Sequence, residues 1–240
     1  MRLPPRFLPL LLAAFPAVVW AEEPRSITPP PARFSWSGAA TNATGAVLAR
    51  IRVDTQETPD LAEWGQRAGE QCAEWYGRIA ALLPSDGFQL YGEVTLIFRA
   101  DMEGVAATGG NNIFIAAKFV RKHRDDFGMV IHELVHVVQA YPPGGPGWLV
   151  EGIADYIRLA HFEPQAPRPV LDPAKARYTD AYKTTALFLE WAEKNGHPGL
   201  VAGLNAALRQ QRYRAEVWEK LTGKTVDQLW TDFAATLPKR

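Results

Sequence analysis

The fold is decided by two apolar stretches, MVIHELVHVVQ at residues 129–139 and WLVEGIADYIR at residues 148–158. Both have helical periodicity, and both are apolar around nearly their whole circumference, which is typical of buried helices. Each carries one narrow polar stripe at positions i, i+4 and i+7. The stripes consist of His132, His136 and Gln139 in the first stretch, and of Glu151, Asp155 and Arg158 in the second. A short Pro- and Gly-rich turn at residues 142–147 joins the helices, so we expect the two stripes to face each other across one shared site.

The first stripe contains an H-E-x-x-H motif at residues 132–136. Residues at i and i+4 project from the same face of a helix, so His132 and His136 can bind one tetrahedral zinc ion. Glu133 lies about 100° around the helix from His132, beside the predicted ligands. A buried, ionised glutamate next to two imidazoles is costly unless a cation compensates its charge. The motif therefore predicts a Zn²⁺ site with Glu133 beside it.

Zinc requires a third protein ligand, and Glu151 at the start of the second helix is the predicted one. Asp155, one turn further on, is then placed to accept the free ring N–H of a ligand histidine. His161 is an alternative third ligand, although it lies more than two turns beyond Glu151. A buried polar network without a metal is the other interpretation. The extended motif with a third histidine is excluded because Gln139 and Pro142 occupy the required positions.

The order of the predicted elements indicates the fold class. Apolar, β-branched runs predict strands at residues 34–37, 47–53, 94–98 and 112–116, and helical spacing predicts a long helix at residues 60–83. From about residue 125 onward the pattern is helical: 126–141, 148–161, 178–195, 198–209, 215–221 and 225–237. Strands followed by helices favour an α+β fold, with a small N-terminal mixed sheet, a helical C-terminal lobe and the active-site helix between them.

The N-terminal segment predicts export. Arg2 and Arg6 precede an apolar run from Phe7 to Val19, and small residues stand at the positions that determine cleavage, which predicts a signal peptide at residues 1–21 cut after Ala21. The run is too short, and too interrupted by proline, for a membrane span. Residues 22–32 are predicted to be a Pro-rich leader and residues 33–240 the folded domain. We expect a secreted or periplasmic protein with no membrane attachment after cleavage.

Charge and cysteine content exclude several classes of partner and scaffold. The chain has 26 Lys and Arg residues against 26 Asp and Glu residues, so nothing in its net charge predicts binding to nucleic acid or to an anionic membrane. One cysteine rules out an intrachain disulfide scaffold and a four-cysteine zinc ribbon. A metal site in this chain must therefore be built from histidine and carboxylates.

Four segments resemble a known family. The Glu-x-x-x-Asp pattern after H-E-x-x-H resembles the thermolysin-type (gluzincin) arrangement, in which the glutamate binds zinc and the aspartate supports a ligand. More specifically, the chain is similar to the plant basic secretory protein family and its bacterial relatives in HELVHVVQ (132–139), EGIADYIR (151–158), YKTTALFL (182–189) and LTGKTVDQLW (221–230). The resemblance extends from Arg33 to Phe233. It implies a zincin-like fold, secretion and a zinc-dependent peptidase activity. The absence of a basic excess is a departure from the family.

These patterns predict a secreted zinc-dependent peptidase that hydrolyses peptide bonds through a zinc-activated water. Glu133 is the predicted general base, and the metal ligands are His132, His136 and Glu151. The reaction also needs a donor for the oxyanion. Tyr182 is the first choice because it lies in a family-like segment, and Tyr178 and Tyr156 are alternatives.

The fold type further suggests where a substrate would bind. Asn112, Ile113 and Phe114 are expected to lie on the edge strand that aligns an extended peptide by β-augmentation. We expect a monomer with a peptide or protein substrate. Two other functions stay open: a zinc hydrolase of a non-peptide amide or ester, and a non-catalytic exported binding or defence protein that zinc stabilises.

Overall fold

The sheet is the first part of the fold along the chain. The structure is a computed structural model that describes residues 34–238. The predicted signal peptide and leader lie outside the described residues. Five strands pair in the order β1-β2-β3-β5-β4. Their bounds are β1 Trp36–Thr41, β2 Val47–Asp54, β3 Glu93–Arg99, β4 Ala106–Gly109 and β5 Asn112–Ala116. The β2–β3 and β3–β5 pairs are parallel, whereas β1 and β4 run antiparallel to their neighbours at the two edges.

Helices follow the sheet and also cover it. Their bounds are α1 Ala62–Leu82, α2 Ala117–Lys122, α3 Gly128–Gln139, α4 Gly147–Ile157, α5 Tyr182–Lys194, α6 Leu200–Arg209, α7 Glu216–Thr222 and α8 Val226–Thr236. The predicted α+β class, with a small mixed sheet followed by helices, is confirmed. Within residues 34–238 no helix has both the length and the apolar character that crossing a bilayer requires.

The central strands and α1 form the core on which the site is built. β3 is buried on both faces from Val94 to Phe98, as expected for a parallel strand with neighbours on each side. β2 instead alternates, and its buried residues, Ala49, Ile51 and Val53, face the helical layer. α1 packs against β1 and β2 and buries one apolar face.

Three differences from the sequence prediction have physical causes. β4 occupies a segment for which no strand was predicted, because its sequence AATG has one β-branched residue, Thr108, and no valine, isoleucine or aromatic residue. α2 was not predicted, since six residues are too few to show helical periodicity. The predicted helix 178–195 begins only at Tyr182, because Ala181 has a φ of 62° and separates it from a 3-10 turn at Tyr178–Asp180.

α3 lies between the sheet and the C-terminal helices. It packs against β4, β5, α1 and α4, and only His136 among its residues is more than marginally exposed. The Asp126 carboxylate accepts a hydrogen bond from the Met129 N–H at the start of the helix (3.1 Å). Ala140 ends the helix in the left-handed conformation, with φ 40° and ψ 40°. Both ends of the helix that carries the H-E-x-x-H motif are therefore fixed by local contacts.

A buried arginine joins the C-terminal end of α3 to the rest of the fold. The Arg209 guanidinium donates to the carbonyl oxygens of Val138 (2.8 Å) and Gln139 (3.3 Å), and to that of Leu83 just after α1 (2.9 Å). It also lies over the Phe88 ring, 3.8 Å from the centroid. A positive charge here satisfies carbonyls that have no partner within their own helices. Arg209 thus holds the ends of two helices with one side chain.

We predict that Arg209→Met lowers the free energy of unfolding by about 2–4 kcal/mol, because three buried carbonyls lose a charged donor. Urea denaturation followed by circular dichroism measures this change. Arg212→Met is the matched control, since Arg212 is exposed and its loss should change stability by less than about 0.5 kcal/mol. Equal effects of the two substitutions would contradict the structural role of Arg209.

Candidate metal centre and cleft

Three side-chain donors from α3 and α4 converge on one point. His132 Nε2 lies 3.1 Å from His136 Nε2 and 3.1 Å from Glu151 Oε2. His136 Nε2 and Glu151 Oε2 are 3.3 Å apart. Helical periodicity places the two histidines one turn apart on α3, and the turn before α4 places Glu151 opposite them. The three donors form a nearly equilateral triangle.

The size of this triangle fits a tetrahedral metal ion. With ligand bonds of about 2.0–2.1 Å, two ligand atoms of a tetrahedral zinc site lie about 3.3 Å apart. The distances between the three donors are 3.1, 3.1 and 3.3 Å. Two imidazole nitrogens and one carboxylate oxygen are also a ligand set that catalytic metal sites use. His132, His136 and Glu151 can therefore bind a metal ion.

The other ring nitrogen of each histidine has an acceptor of its own. His132 Nδ1 lies 2.8 Å from Asp155 Oδ1, and His136 Nδ1 lies 2.7 Å from Gln139 Oε1. The Gln139 amide is oriented because its Nε2 donates to the Val150 carbonyl oxygen (3.0 Å). These acceptors favour a proton on Nδ1 of each histidine, which leaves Nε2 as the nitrogen that can bind a metal ion at the shared point.

The electrostatics of the site favour positive charge where the donors meet. Burial alone would lower the pKa of His132, but hydrogen bonds to Asp155 and Glu151 raise this pKa to about 9. Burial alone would raise the pKa of Glu151, but hydrogen bonds from His132 and His136 lower it to about 2. Lone pairs and carboxylates that converge in a buried place repel one another without a cation. The site therefore provides a strong electrostatic preference for a cation.

Glu133 lies beside this group and contacts β4. Thr108 Oγ1 lies 2.7 Å from Glu133 Oε2 and 3.0 Å from the main-chain oxygen of the same residue. Among residues 34–238, the other carboxylate oxygen, Oε1, has no hydrogen-bond partner. Glu133 is 9% exposed and lines the same cleft as the three side chains that can bind a metal ion.

Of the three candidate tyrosines, Tyr182 is the one that lies at the site. Its ring stacks on that of His132, with centroids 6.1 Å apart and planes 22° apart. The Tyr178 hydroxyl donates to Asp227 (2.9 Å), and the Tyr156 hydroxyl lies 3.3 Å from His161 Nε2. His161, the alternative third ligand, is therefore not part of the metal-binding group. The charge of Glu151 is the main cause that raises the pKa of Tyr182, so its hydroxyl stays protonated.

The backbone that presents Tyr182 is strained. Ala181 has φ 62° and ψ −170°, a region that is essentially restricted to glycine, and Tyr182 itself has φ 45°. α5 approaches α4 closely at the same place, because Gly152 leaves room for the Thr185 side chain, which a Cβ at that position would meet. This close approach brings the first turn of α5 to the metal-binding group. Strain of this kind is concentrated at functional sites in proteins.

The site opens into a cleft of about 1180 Å³. Its wall includes Ala106, Ala107 and Thr108 of β4. The prediction that Asn112, Ile113 and Phe114 lie on the edge strand is wrong. They belong to β5, which pairs with β3 on one side and with β4 on the other, so both edges of its main chain are occupied. The edge that faces the cleft is β4.

The fold and the site define a class of protein: an α+β protein with a buried His-His-Glu group that can bind a metal ion at an open cleft. Over residues 84–233 the chain matches the basic secretory protein family, described as a peptidase of plants and bacteria. This match spans more than half of the chain, and the protein belongs to that family. The resemblance found in the sequence is confirmed. The protein is accordingly a hydrolase of the peptidase type, with peptide or protein substrates. No curated protein matches the chain.

Two residues of the site were not predicted from the sequence. Gln139 was visible as the third member of the polar stripe on α3, and its i+3 spacing from His136 was a signal for contact between the two side chains. Thr108 gave no signal, because it lies in a segment without strand character and meets Glu133 only through tertiary packing.

We predict that Gln139→Leu weakens binding of Zn²⁺ or Co²⁺ by about 10- to 100-fold, because His136 loses the acceptor that fixes its tautomer. Titration against a chromophoric chelator measures the affinity. Gln210→Leu is the control, because Gln210 is exposed at the end of α6. If Gln139→Leu binds the metal as tightly as the control does, the role assigned to Gln139 is wrong.

Proposed function

We propose that this protein is an exported zinc-dependent peptidase in which Glu133 is the general base. The observation that carries the proposal is the convergence of the His132, His136 and Glu151 donor atoms within 3.1–3.3 Å of one another, next to the Glu133 carboxylate. A structural metal site has no use for a general base, whereas a hydrolytic site requires one. Membership of a peptidase family supports the same conclusion.

Zinc is the proposed metal because of the donor set. Two neutral imidazoles and one carboxylate are typical of catalytic zinc sites that keep the fourth position open. His132, His136 and Glu151 would hold the ion, and Asp155 and Gln139 would keep the two imidazoles in the tautomer that binds it. When bound, zinc supplies the positive charge that acidifies a water molecule and polarises the scissile carbonyl.

Glu133 performs the proton transfers in this proposal. Its carboxylate takes a proton from the attacking water, whose oxygen bonds to the carbonyl carbon of the substrate. The same carboxyl group then delivers that proton to the leaving nitrogen as the carbon–nitrogen bond breaks. Burial of Glu133 in the cleft wall favours this role, because bulk water would otherwise exchange protons with the carboxylate in place of the substrate.

Tyr182 is the proposed hydrogen-bond donor to the developing oxyanion. Three carboxylates, Glu151 foremost, favour the neutral phenol, which is the form that can donate. Its position against the His132 ring places it beside the metal-binding group. The left-handed backbone at Ala181 and Tyr182 supports the same assignment, since rigid presentation of a donor increases its effect in a transition state.

An extended peptide is the substrate that the cleft fits. Among residues 34–238 no strand pairs with the outer edge of β4, which lies in the cleft wall, and a peptide can pair with such an edge through its main chain. Tyr91, Val105 and Tyr182, all exposed, line the same cleft and offer apolar surface to substrate side chains. The cleft volume exceeds that of most pockets for small molecules, which favours a peptide over a small ester or amide.

Zinc-loaded Glu133→Gln is expected to cleave a peptide substrate at least about 10²-fold more slowly than the wild type, because an amide cannot accept the proton. Tyr182→Phe is expected to lower kcat by about 10²- to 10³-fold through loss of the oxyanion donor. Both variants should bind stoichiometric zinc, which atomic absorption measures beside the peptide-cleavage assay.

Tyr178→Phe serves as the control for Tyr182, since the Tyr178 hydroxyl is engaged by Asp227. Its kcat should stay within about twofold to threefold of the wild-type value. If zinc-loaded Glu133→Gln cleaves as fast as the wild type, the catalytic assignment is wrong. A wild-type protein that binds zinc and cleaves no peptide would instead favour the non-catalytic alternative.

We also propose that the chain is exported and cleaved after Ala21, leaving residues 33–240 as the catalytic domain behind a short leader. The proposal is supported by the basic, apolar and small-residue order of residues 1–21. N-terminal sequencing of protein recovered outside the cytoplasm of an expressing bacterium should then begin at Glu22. A chain that keeps Met1 in the exported fraction, or that stays in the cytoplasm, would contradict cleavage or export respectively.

A further inference from the structure

The edge strand that faces the cleft also contacts the proposed general base. Thr108 lies on β4, pairs with Ile113 of β5 in the sheet register, and lines the cleft wall. Its hydroxyl oxygen is 2.7 Å from Glu133 Oε2. The contact joins the sheet to α3. Among residues 34–238, no other hydrogen bond reaches the Glu133 carboxylate.

The single hydroxyl proton of Thr108 has two candidate acceptors. The main-chain oxygen of Glu133 is 3.0 Å away, but within an α-helix such a carbonyl already accepts the N–H of the residue four positions on. The carboxylate oxygen Oε2 is nearer, and an ionised acceptor makes the shorter and stronger bond. The Thr108 hydroxyl therefore donates its proton to Glu133 Oε2.

We infer that Thr108 is a positioning residue for Glu133: its hydroxyl holds Oε2, fixes the rotamer of the carboxylate and leaves Oε1 as the oxygen that takes the proton. This inference rests on the proposed function of Glu133. A carboxylate with two equivalent free oxygens would rotate about its terminal torsion, which has a broad energy profile. Holding one oxygen removes that freedom and keeps the other in a reactive geometry.

The position of Thr108 on β4 adds a second consequence. The main chain of this strand is the edge proposed to receive the peptide, and the side chain of the same residue reaches the base. A substrate aligned on β4 is thereby held in a fixed relation to Oε1. Thr108 therefore links the bound peptide to the general base: its main chain belongs to the strand that aligns the peptide, and its side chain holds the Glu133 carboxylate.

The kinetic test compares Thr108→Val, which removes the hydroxyl at nearly constant shape, with Thr108→Ser, which retains it. Zinc-loaded Thr108→Val is expected to lower kcat by about 10- to 100-fold with KM within threefold, because substrate pairing uses the main chain. Thr108→Ser should recover most of the lost kcat. Thr231→Val, which removes a hydroxyl bonded to the Asp227 carbonyl on α8, is the control and should match the wild type. An increase in KM without a change in kcat would indicate damage to the strand and overturn the inference.

A second measurement is independent of catalysis. In zinc-loaded protein, Thr108→Val should lower Tm by about 4–8 °C, and by less than about 2 °C in the Glu133→Leu background, because the bond to the carboxylate is already absent there. If Thr108→Val lowers Tm equally in the wild-type and Glu133→Leu backgrounds, Thr108 does not bind the Glu133 carboxylate, whatever the activity of the variants. Unequal Tm shifts in the two backgrounds show that Thr108 and Glu133 are coupled. If they are coupled but the zinc-loaded wild type cleaves no peptide, the hydrogen bond exists, whereas the proposed function and the positioning role are wrong. Coupling together with the kcat loss supports both.

Discussion

Burial of the polar stripe on α3 is the constraint on which the rest of the structure depends. Eleven of the twelve residues of this helix are buried, and they include His132, Glu133 and Gln139. Polar groups in such a position are tolerated only when each has a partner. Much of the surrounding structure supplies those partners: Asp155 and Glu151 from α4, Thr108 from β4, and Arg209 from α6 for the carbonyls at the end of the helix.

These partners also connect the two helices that carry the candidate metal ligands. The Gln139 side chain joins His136 on its own helix to the Val150 carbonyl on α4, next to Glu151. A displacement of α4 would therefore alter His136 and the candidate carboxylate ligand Glu151 together. Gly152 extends the same unit to α5 by allowing the close contact with Thr185. The geometry of the site is a property of three packed helices rather than of the H-E-x-x-H motif alone.

The sequence was informative where a local pattern determined the outcome. The i, i+4 spacing of His132 and His136, and of Glu151 and Asp155, predicted side chains that the fold brings together, and the run at residues 112–116 predicted β5 with its bounds. The sequence was uninformative where contacts between distant segments determine the local structure. β4 is a strand because β5 pairs with it and not because of its composition, so the sheet edge was assigned to the wrong strand. The break at Ala181 lies where α5 packs against α4, and alanine is a residue type that gives no signal for a positive φ.

The length of β4 has a consequence for the behaviour of the protein in solution. An unpaired strand edge is also a template on which other chains can assemble into a shared sheet. β4 has four residues, and Gly110, with a φ of 61°, lies in the tight turn that leads directly into β5. An edge this short offers main-chain groups to only a few residues of any chain that pairs with it, and short edge strands are one way in which proteins limit edge-to-edge association. Brevity at this strand is thus compatible with an open cleft and removes part of the template that pairing between chains would need.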